Sequence, residues 1–265
     1  MSDLIAWLEG APWPDALALL FLQNFAIFGL AWCGGTRLSR RFSRRRVALT
    51  PLAVTELEVC LACINVVSNT LITFAGWILW KAGVVRFRTD CGLLAVCDVV
   101  ILIFVMDLAL YGLHRLAHSR WFYPWLHRLH HTQTRPRALT LFIMHPAETL
   151  AFGGLWLVII ALWPCSWAGL SVYLVLNVVS GTLGHLGVEP FPDAWLRWPL
   201  VRWVAGGSFH AQHHQDVQHN YGFYTLIWDR LFGSIRPDYE DSFGQIPTWA
   251  ESVPPGDLPG DQSAH

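Results

Sequence analysis

The chain has 265 residues, of which 54% are hydrophobic and only 14% are charged, with a mean hydropathy of +0.38. That balance is too apolar for an ordinary soluble domain and points to a polytopic membrane protein. A net charge of −1 leaves no electrostatic case for nucleic acid as a partner.

A bilayer core is crossed by about 20 apolar residues in a helix. The first such run covers residues 16–33, and Gly34 and Gly35 are expected to end it. No basic region and no small-residue cleavage site precede it, so no cleavable signal peptide is expected. The stretch TRLSRRFSRRR (36–46) then brings six arginines and no acid, which the positive-inside rule places in the cytoplasm. Lys81 is the one lysine in the chain, a bias in keeping with a GC-rich bacterial genome. The second run covers 59–80. Asn65 and Asn69 lie one helical turn apart within it and are expected to face other helices.

Lys81, Arg86 and Arg88 follow on the outer side. A third run, 92–113, returns the chain to the cytoplasm, where Arg115, Arg120, Arg128, Arg135 and Arg137 cluster. Two shorter runs, 149–163 and 167–183, are joined through Pro164 and Cys165 and read as a hairpin that crosses wholly or in part. The six cysteines are scattered. Cys60 and Cys63 form a CxxC, but inside a membrane run and without a second pair, so they read as small packing residues. Fifteen tryptophans fit interfacial aromatic belts. The stretch 254–265, rich in Pro, Gly and Asp, is expected to be disordered and shows no lipidation motif.

Ten of the twelve histidines fall into a pattern. His114 and His118 make an HxxxH. His127, His130 and His131 make an HxxHH, and His210, His213 and His214 make a second. His145 and His185 stand singly between them. Hydropathy and arginine bias alone put all ten on one side of the membrane. At about 100° per residue, Asp107, Tyr111, His114 and His118 fall within an arc of about 60° on one helix face, and each HxxHH within about 100°. Any one of these histidines alone would be unremarkable at a membrane surface; three clustered motifs on one side are poorly explained by chance.

Imidazole suits Zn, Cu, Fe and Ni. One ion takes four to six ligands, so ten histidines point to two ions of about five ligands each. An all-imidazole shell is neutral and calls for carboxylates that accept the other ring N–H. Asp107 and Glu148 are placed for that, with Asp216 and Asp229 further candidates. His219 and His265 fall outside the pattern.

The stretches DLALYGLHRLAH (107–118), HRLHH (127–131), HPAE (145–148), GHLG (184–187), HAQHH (210–214), NYG (220–222) and WDRLFGS (228–234) resemble, in order, the fatty acid hydroxylase (sterol desaturase) superfamily of membrane diiron enzymes. The resemblance implies an all-α fold: a polytopic helical bundle of about four to five spans or partial spans under a cytoplasmic helical cap that holds a dimetal site. It divides the chain into N-terminal spans with the Arg-rich loop (1–106), a catalytic region (107–240) that includes the membrane hairpin at 149–183, and a disordered tail (241–265). Carried over residue by residue, the metal ligands are His114, His118, His127, His130, His131, His145, His185, His210, His213 and His214, with Asp107, Glu148 and Asp229 supporting them.

The same resemblance implies two Fe ions, with zinc a possible substitute, and O2-dependent oxidation of a fatty acyl, sterol or isoprenoid-type lipid. Side-chain acid–base chemistry cannot break an inert C–H bond, whereas metal-activated O2 can. Hydroxylation is the first reading and desaturation by the same site the second. The chain has no haem domain, no dinucleotide fingerprint and no iron–sulfur framework, so an external donor of ferredoxin or cytochrome type is implied. NYG and WDRLFG read as turn-and-packing elements. A zinc hydrolase would call for an HExxH motif, which is absent. A metal carrier would call for ionisable residues deep in several spans, and only Asp98 and Asp107 qualify. The expected location is a bacterial inner membrane with the active site on the cytoplasmic face.

Overall fold

The structure is a computed structural model that describes residues 2–246. It is helical, and no strand longer than an isolated bridge occurs among the described residues. A short helix α1 (Ser2–Gly10) precedes α2 (Trp13–Arg41), α3 (Glu56–Lys81) and α4 (Leu93–Ala117). After a π-turn, Tyr123–His127, come the single turn α5 (Arg128–His131) and a 3-10 turn, Ala138–Phe142. Then follow α6 (Pro146–Leu162), α7 (Trp167–Gly184), two 3-10 turns (Asp193–Arg197 and Val201–Trp203), α8 (Gly207–Gln215) and α9 (Ile227–Leu231).

Four of these helices, α2, α3, α4 and α7, are long and apolar enough to cross a membrane, and α6 is a shorter apolar helix. Together they match the five expected runs. The chain is thus an integral membrane protein, with a helical bundle below and the histidines above.

Local chemistry sets the helix ends. Thr55 and Glu58 form a capping box that starts α3; the two exchange bonds with each other's backbone N–H. Pro146 sits at the first position of α6, where its missing N–H costs nothing. The Ser166 side chain accepts from the Gly169 N–H to open α7. The first span, however, does not stop at Gly34 and Gly35; it continues as helix to Arg41. Gly35 serves close packing instead. A Cβ there would lie 2.5 Å from the Ala138 Cβ and 2.9 Å from Thr182 Cγ2.

The five apolar helices close into a ring, each packed on two neighbours, in the order α2, α3, α6, α4, α7. The core cluster of Leu102, Met106, Leu110, Ile159, Ile160, Leu170 and Tyr173 fills the α4–α6–α7 side. The 3-10 turn 138–142 closes the ring at the histidine end, with Leu139, Phe142 and Ile143 packed against Ala31 and Ala62. As expected, Asn65 faces a neighbour, donating to Thr149 Oγ1 on α6 at 2.9 Å and accepting from Asn69 at 2.7 Å. Cys60 and Cys63 are exposed on the outer surface of α3. They pack nothing inside the bundle, because their helix face points away from α2 and α6.

At the end far from the histidines, Arg88 reaches Asp98 Oδ2 at 2.9 Å, and the same carboxylate accepts from the Ser166 N–H and Trp163 Nε1. This buried acid is therefore engaged in joining α4 to the α6–α7 turn. At the histidine end, the Arg-rich segment lies beside residues 187–193. Arg46 bridges Val188, and Arg45 donates to the carbonyls of Glu189 and Phe191 and pairs with Asp193 at 2.7 Å. The arginine run and the histidine clusters are thus on one side of the bundle. Within the expected tail, Phe243 is buried against Tyr239; the remainder, 247–265, including His265, lies outside the described residues.

Candidate metal centre

Nine of the ten patterned histidines converge in two groups. His114, His118, His127, His131 and His213 form one; His130, His185, His210 and His214 form the other. Within each group the candidate ligand atoms lie within 4.8 Å of one another. Each HxxHH is shared between the two. In the first motif His127 and His131, four residues apart, enter one group and His130 enters the other. In the second, His210 and His214 pair and His213 crosses over. The reason is angular: residues i and i+4 differ by about 40° around a helix, while i+3 falls about 60° to the other side.

The ring contacts are close. His114 Nε2 lies 2.9 Å from His127 Nε2 and 3.0 Å from His213 Nε2; His118 Nε2 is 3.1 Å from His213 Nε2, and His131 Nε2 is 3.0 Å from His127 Nε2. In the second group His185 Nε2 is 3.2 Å from His130 Nε2 and 2.9 Å from His210 Nε2. Their other nitrogens explain what these contacts are not. His114 Nδ1 faces the Tyr221 carbonyl at 2.8 Å, His213 Nδ1 the His219 carbonyl at 2.6 Å, His130 Nδ1 the Ile143 carbonyl at 3.0 Å and His185 Nδ1 the Gly181 carbonyl at 2.7 Å. A carbonyl only accepts, so each Nδ1 carries the proton and each neutral ring presents a bare Nε2 lone pair.

Burial keeps these rings neutral. It pushes His127 and His185 down to about 3 and His130 to about 4, and holds His118, His131, His210, His213 and His214 well below the usual value. Lone pair therefore faces lone pair at hydrogen-bond distance with no proton between them, a repulsive arrangement unless a cation lies at the centre. Nitrogens about 3.0 Å apart, each about 2.1 Å from a shared ion, subtend roughly 90°. His214 has no hydrogen-bond partner at either ring nitrogen among the described residues, although it is fully buried. Such orphaned groups are rare and costly, and coordination satisfies them. The residues present thus fit two metal ions.

The carboxylates divide by role. Glu148 Oε1 meets His127 Nδ1 at 2.6 Å, the contact expected for a supporting acid. Asp107 does not reach an imidazole. It accepts from the backbone N–H groups of Phe223, Tyr224 and Thr225 and from the Thr225 hydroxyl. Asp229 likewise takes the Tyr221 and Gly222 N–H groups and the Ser234 hydroxyl. The two acids clamp one loop, residues 221–225, and that loop supplies the carbonyl that orients His114. Gly222 admits the clamp; a Cβ there would lie 2.6 Å from the Thr225 carbonyl oxygen and 2.8 Å from Asp229 Oδ2. NYG and WDRLFG are in this sense packing elements.

His145 is not gathered into either group. It caps α6, its Nδ1 accepting from the Ala147 N–H at 3.2 Å. His219 contributes its carbonyl, while its own ring meets Asp216 at 2.9 Å. Sequence reasoning missed Glu189, whose buried carboxylate accepts from the Ser208 N–H at 2.8 Å and anchors the start of α8. Asn220, the first residue of NYG, is held at φ 62° with its amide donating to the Phe209 carbonyl, in keeping with the turn-and-packing reading of that stretch. Asn is among the residues that tolerate that region.

The fatty acid hydroxylase family model matches residues 99–234. Methylsterol monooxygenase 1 of Danio rerio is 32% identical over 130 residues, covering 46% of this chain and 41% of that protein. Lathosterol oxidase of Homo sapiens is 25% identical over 174 residues, covering 63% and 56%. Very-long-chain aldehyde decarbonylase GL1-11 of Oryza sativa subsp. indica is 33% identical over 147 residues, covering 54% of each. The chain spans about half the length of the curated relatives it matches. No solved structure matches.

Proposed function

The chain belongs to the fatty acid hydroxylase family, and from that premise we propose that it is a membrane-bound non-haem diiron oxygenase acting on a lipid. The observation that carries the reading is the convergence of nine imidazoles into two groups, within which the bare Nε2 lone pairs of His114 and His213, and of His130 and His185, face one another. His114, His118, His127, His131 and His213 would hold one iron, and His130, His185, His210 and His214 the other. When bound, the irons supply the O2 activation needed to oxidise a C–H bond, which no side chain provides.

The protein's own part is positioning and water exclusion. Carbonyls of Tyr221, His219, Ile143 and Gly181 keep the ligand rings in the right tautomer. Phe223, 5.1 Å from the His114 ring and packed on Phe152 of α6, forms an apolar wall between the site and the bundle core. The substrate is a lipid of fatty acyl, sterol or isoprenoid type, hydroxylated at a carbon held beside that wall. Electrons come from a separate ferredoxin or cytochrome. The site faces the cytoplasm from a bacterial inner membrane, a sidedness that the arginine run beside the cap supports through the positive-inside rule.

The test is metal analysis of detergent-purified protein from iron-supplied cells. Two irons per chain are expected, with His213→Ala losing metal from the first group and His130→Ala from the second. Comparative lipidomics of cells with and without the gene then looks for a hydroxylated product, or an unsaturated one if desaturation is the outcome. One zinc per chain, or metal retained in both variants, overturns the diiron reading.

A further inference from the structure

An apolar patch on the C-terminal half of the chain is not used by the metal centre. Trp198, Leu200, Trp203, Val204, Leu231 and Phe232 are all exposed, Leu200 at 86% and Leu231 at 67%. Local contacts bring them together. The Arg230 guanidinium lies over the Trp203 ring at 5.3 Å, the Leu226 N–H donates to the Trp203 carbonyl at 2.8 Å, and Val204 bridges Thr225. Contiguous apolar surface of this kind marks an interaction site.

Contacts with α4 set its depth. Thr225, beside Val204, is bound through its N–H and hydroxyl to Asp107, ten residues before the end of α4 at Ala117. Phe232 stacks on Tyr111 at 5.5 Å, six residues before that end. At 1.5 Å per residue these levels lie roughly 15 and 9 Å back along the helix from its histidine end. The helix is the most apolar of the four candidate spans, and near these levels Phe104, Val105 and Leu108 are exposed. Measured from residue 113, where the apolar run of α4 ends, the same levels lie roughly 9 and 3 Å inside that run, so the patch continues the exposed apolar surface of α4 sideways.

We propose that residues 198–204 and 231–232 form a foot that inserts among the acyl chains of the leaflet next to the metal centre, without crossing the membrane. Tryptophans at its edge suit the headgroup boundary, and an apolar face with an arginine rim is the pattern of an interfacial segment. Arg197 and Arg202 flank the patch in the chain. The proposal stands independently of which metal the site holds.

The test is photo-crosslinking of the full chain in native membranes. The photoreactive residue p-benzoylphenylalanine replaces Leu200, Leu231 or Trp198, one at a time. Phe104 is the lipid-facing reference, and Gln218, exposed in the loop after α8, is the water-facing one. Phospholipid adducts are read by intact mass and protein adducts by gel. The expected result is lipid labelling at all three positions comparable to Phe104 and about tenfold above Gln218. Lipid labelling at the Gln218 level, or capture of a second copy of the chain or of a soluble protein, overturns the proposal.

Discussion

Among single residues, the contrast between Glu148 and His145 is the most informative. They are three positions apart at the start of α6, yet one touches the His127 ring and the other caps a helix. Removing the carboxylate leaves the His127 Nδ1 proton without an acceptor and the ring free to turn. Supporting partners of this kind are worth about 10–100-fold in metal affinity. Glu148→Ala is therefore expected to lose metal to a chelator at a concentration 10–100-fold lower than the parent chain, roughly. His145→Ala is expected to keep the parental metal content. Equal metal loss in the two would show that the imidazole of His145 swings into the site. HPAE placed both residues near the site, but their different partners depend on where α6 points. Asp107 teaches the same lesson. Its helical phase with His114 is correct, but its oxygens are taken by the backbone of a loop 116 or more residues away, which no spacing rule anticipates.

Between elements, the close approach of α2, α7 and the 3-10 turn at Ala138 decides the position of the second group. That turn leads directly to Ile143, whose carbonyl orients His130. Gly34 and Gly35 are adjacent in sequence but opposite in environment: a Cβ at Gly34 meets nothing within 4 Å. Gly→Ala inside an exposed stretch of helix is worth about 0.8–1 kcal/mol in propensity. Overpacking costs about 1–3 kcal/mol, which outweighs that gain. Gly34→Ala is expected to raise the thermal midpoint in detergent, and Gly35→Ala to lower it. A rise in both would mean that the helices separate freely here. The pair of glycines reads as a helix stop in one dimension. In three dimensions it is a contact, because the driving term is the approach of Ala138 and Thr182 rather than backbone freedom.

For the whole molecule, burial of so many imidazoles makes the centre sensitive to acid. The folded-state values of His127, His130 and His185, about 3, 4 and 3, lie below the unfolded value near 6.5. As pH falls below about 6.5, the unfolded chain takes up protons that the folded chain refuses, so stability is lost in that direction. Above that pH both states are neutral and the term vanishes. Metal release also requires proton uptake by the ligands. Bound metal measured from pH 8 down to pH 4 is expected to stay constant to about pH 6.5 and then fall with a slope of more than one proton per ion. A flat profile to pH 4 would mean that metal binding outcompetes protonation throughout.

The sequence by itself determined the apolar helices of the membrane bundle, the side on which the histidines gather and the residue types of the candidate metal centre. These follow from hydropathy, charge bias and helical phase, which are properties of short stretches. The tertiary structure alone decided how the two HxxHH motifs are shared between two groups, that Asp107 and Asp229 serve a loop instead of a ring, and which groups orient the imidazoles. Four of those groups are backbone carbonyls, from Ile143, Gly181, His219 and Tyr221. Every residue carries a carbonyl, so residue identity holds no trace of which ones will face a histidine; only the packing of distant segments selects them.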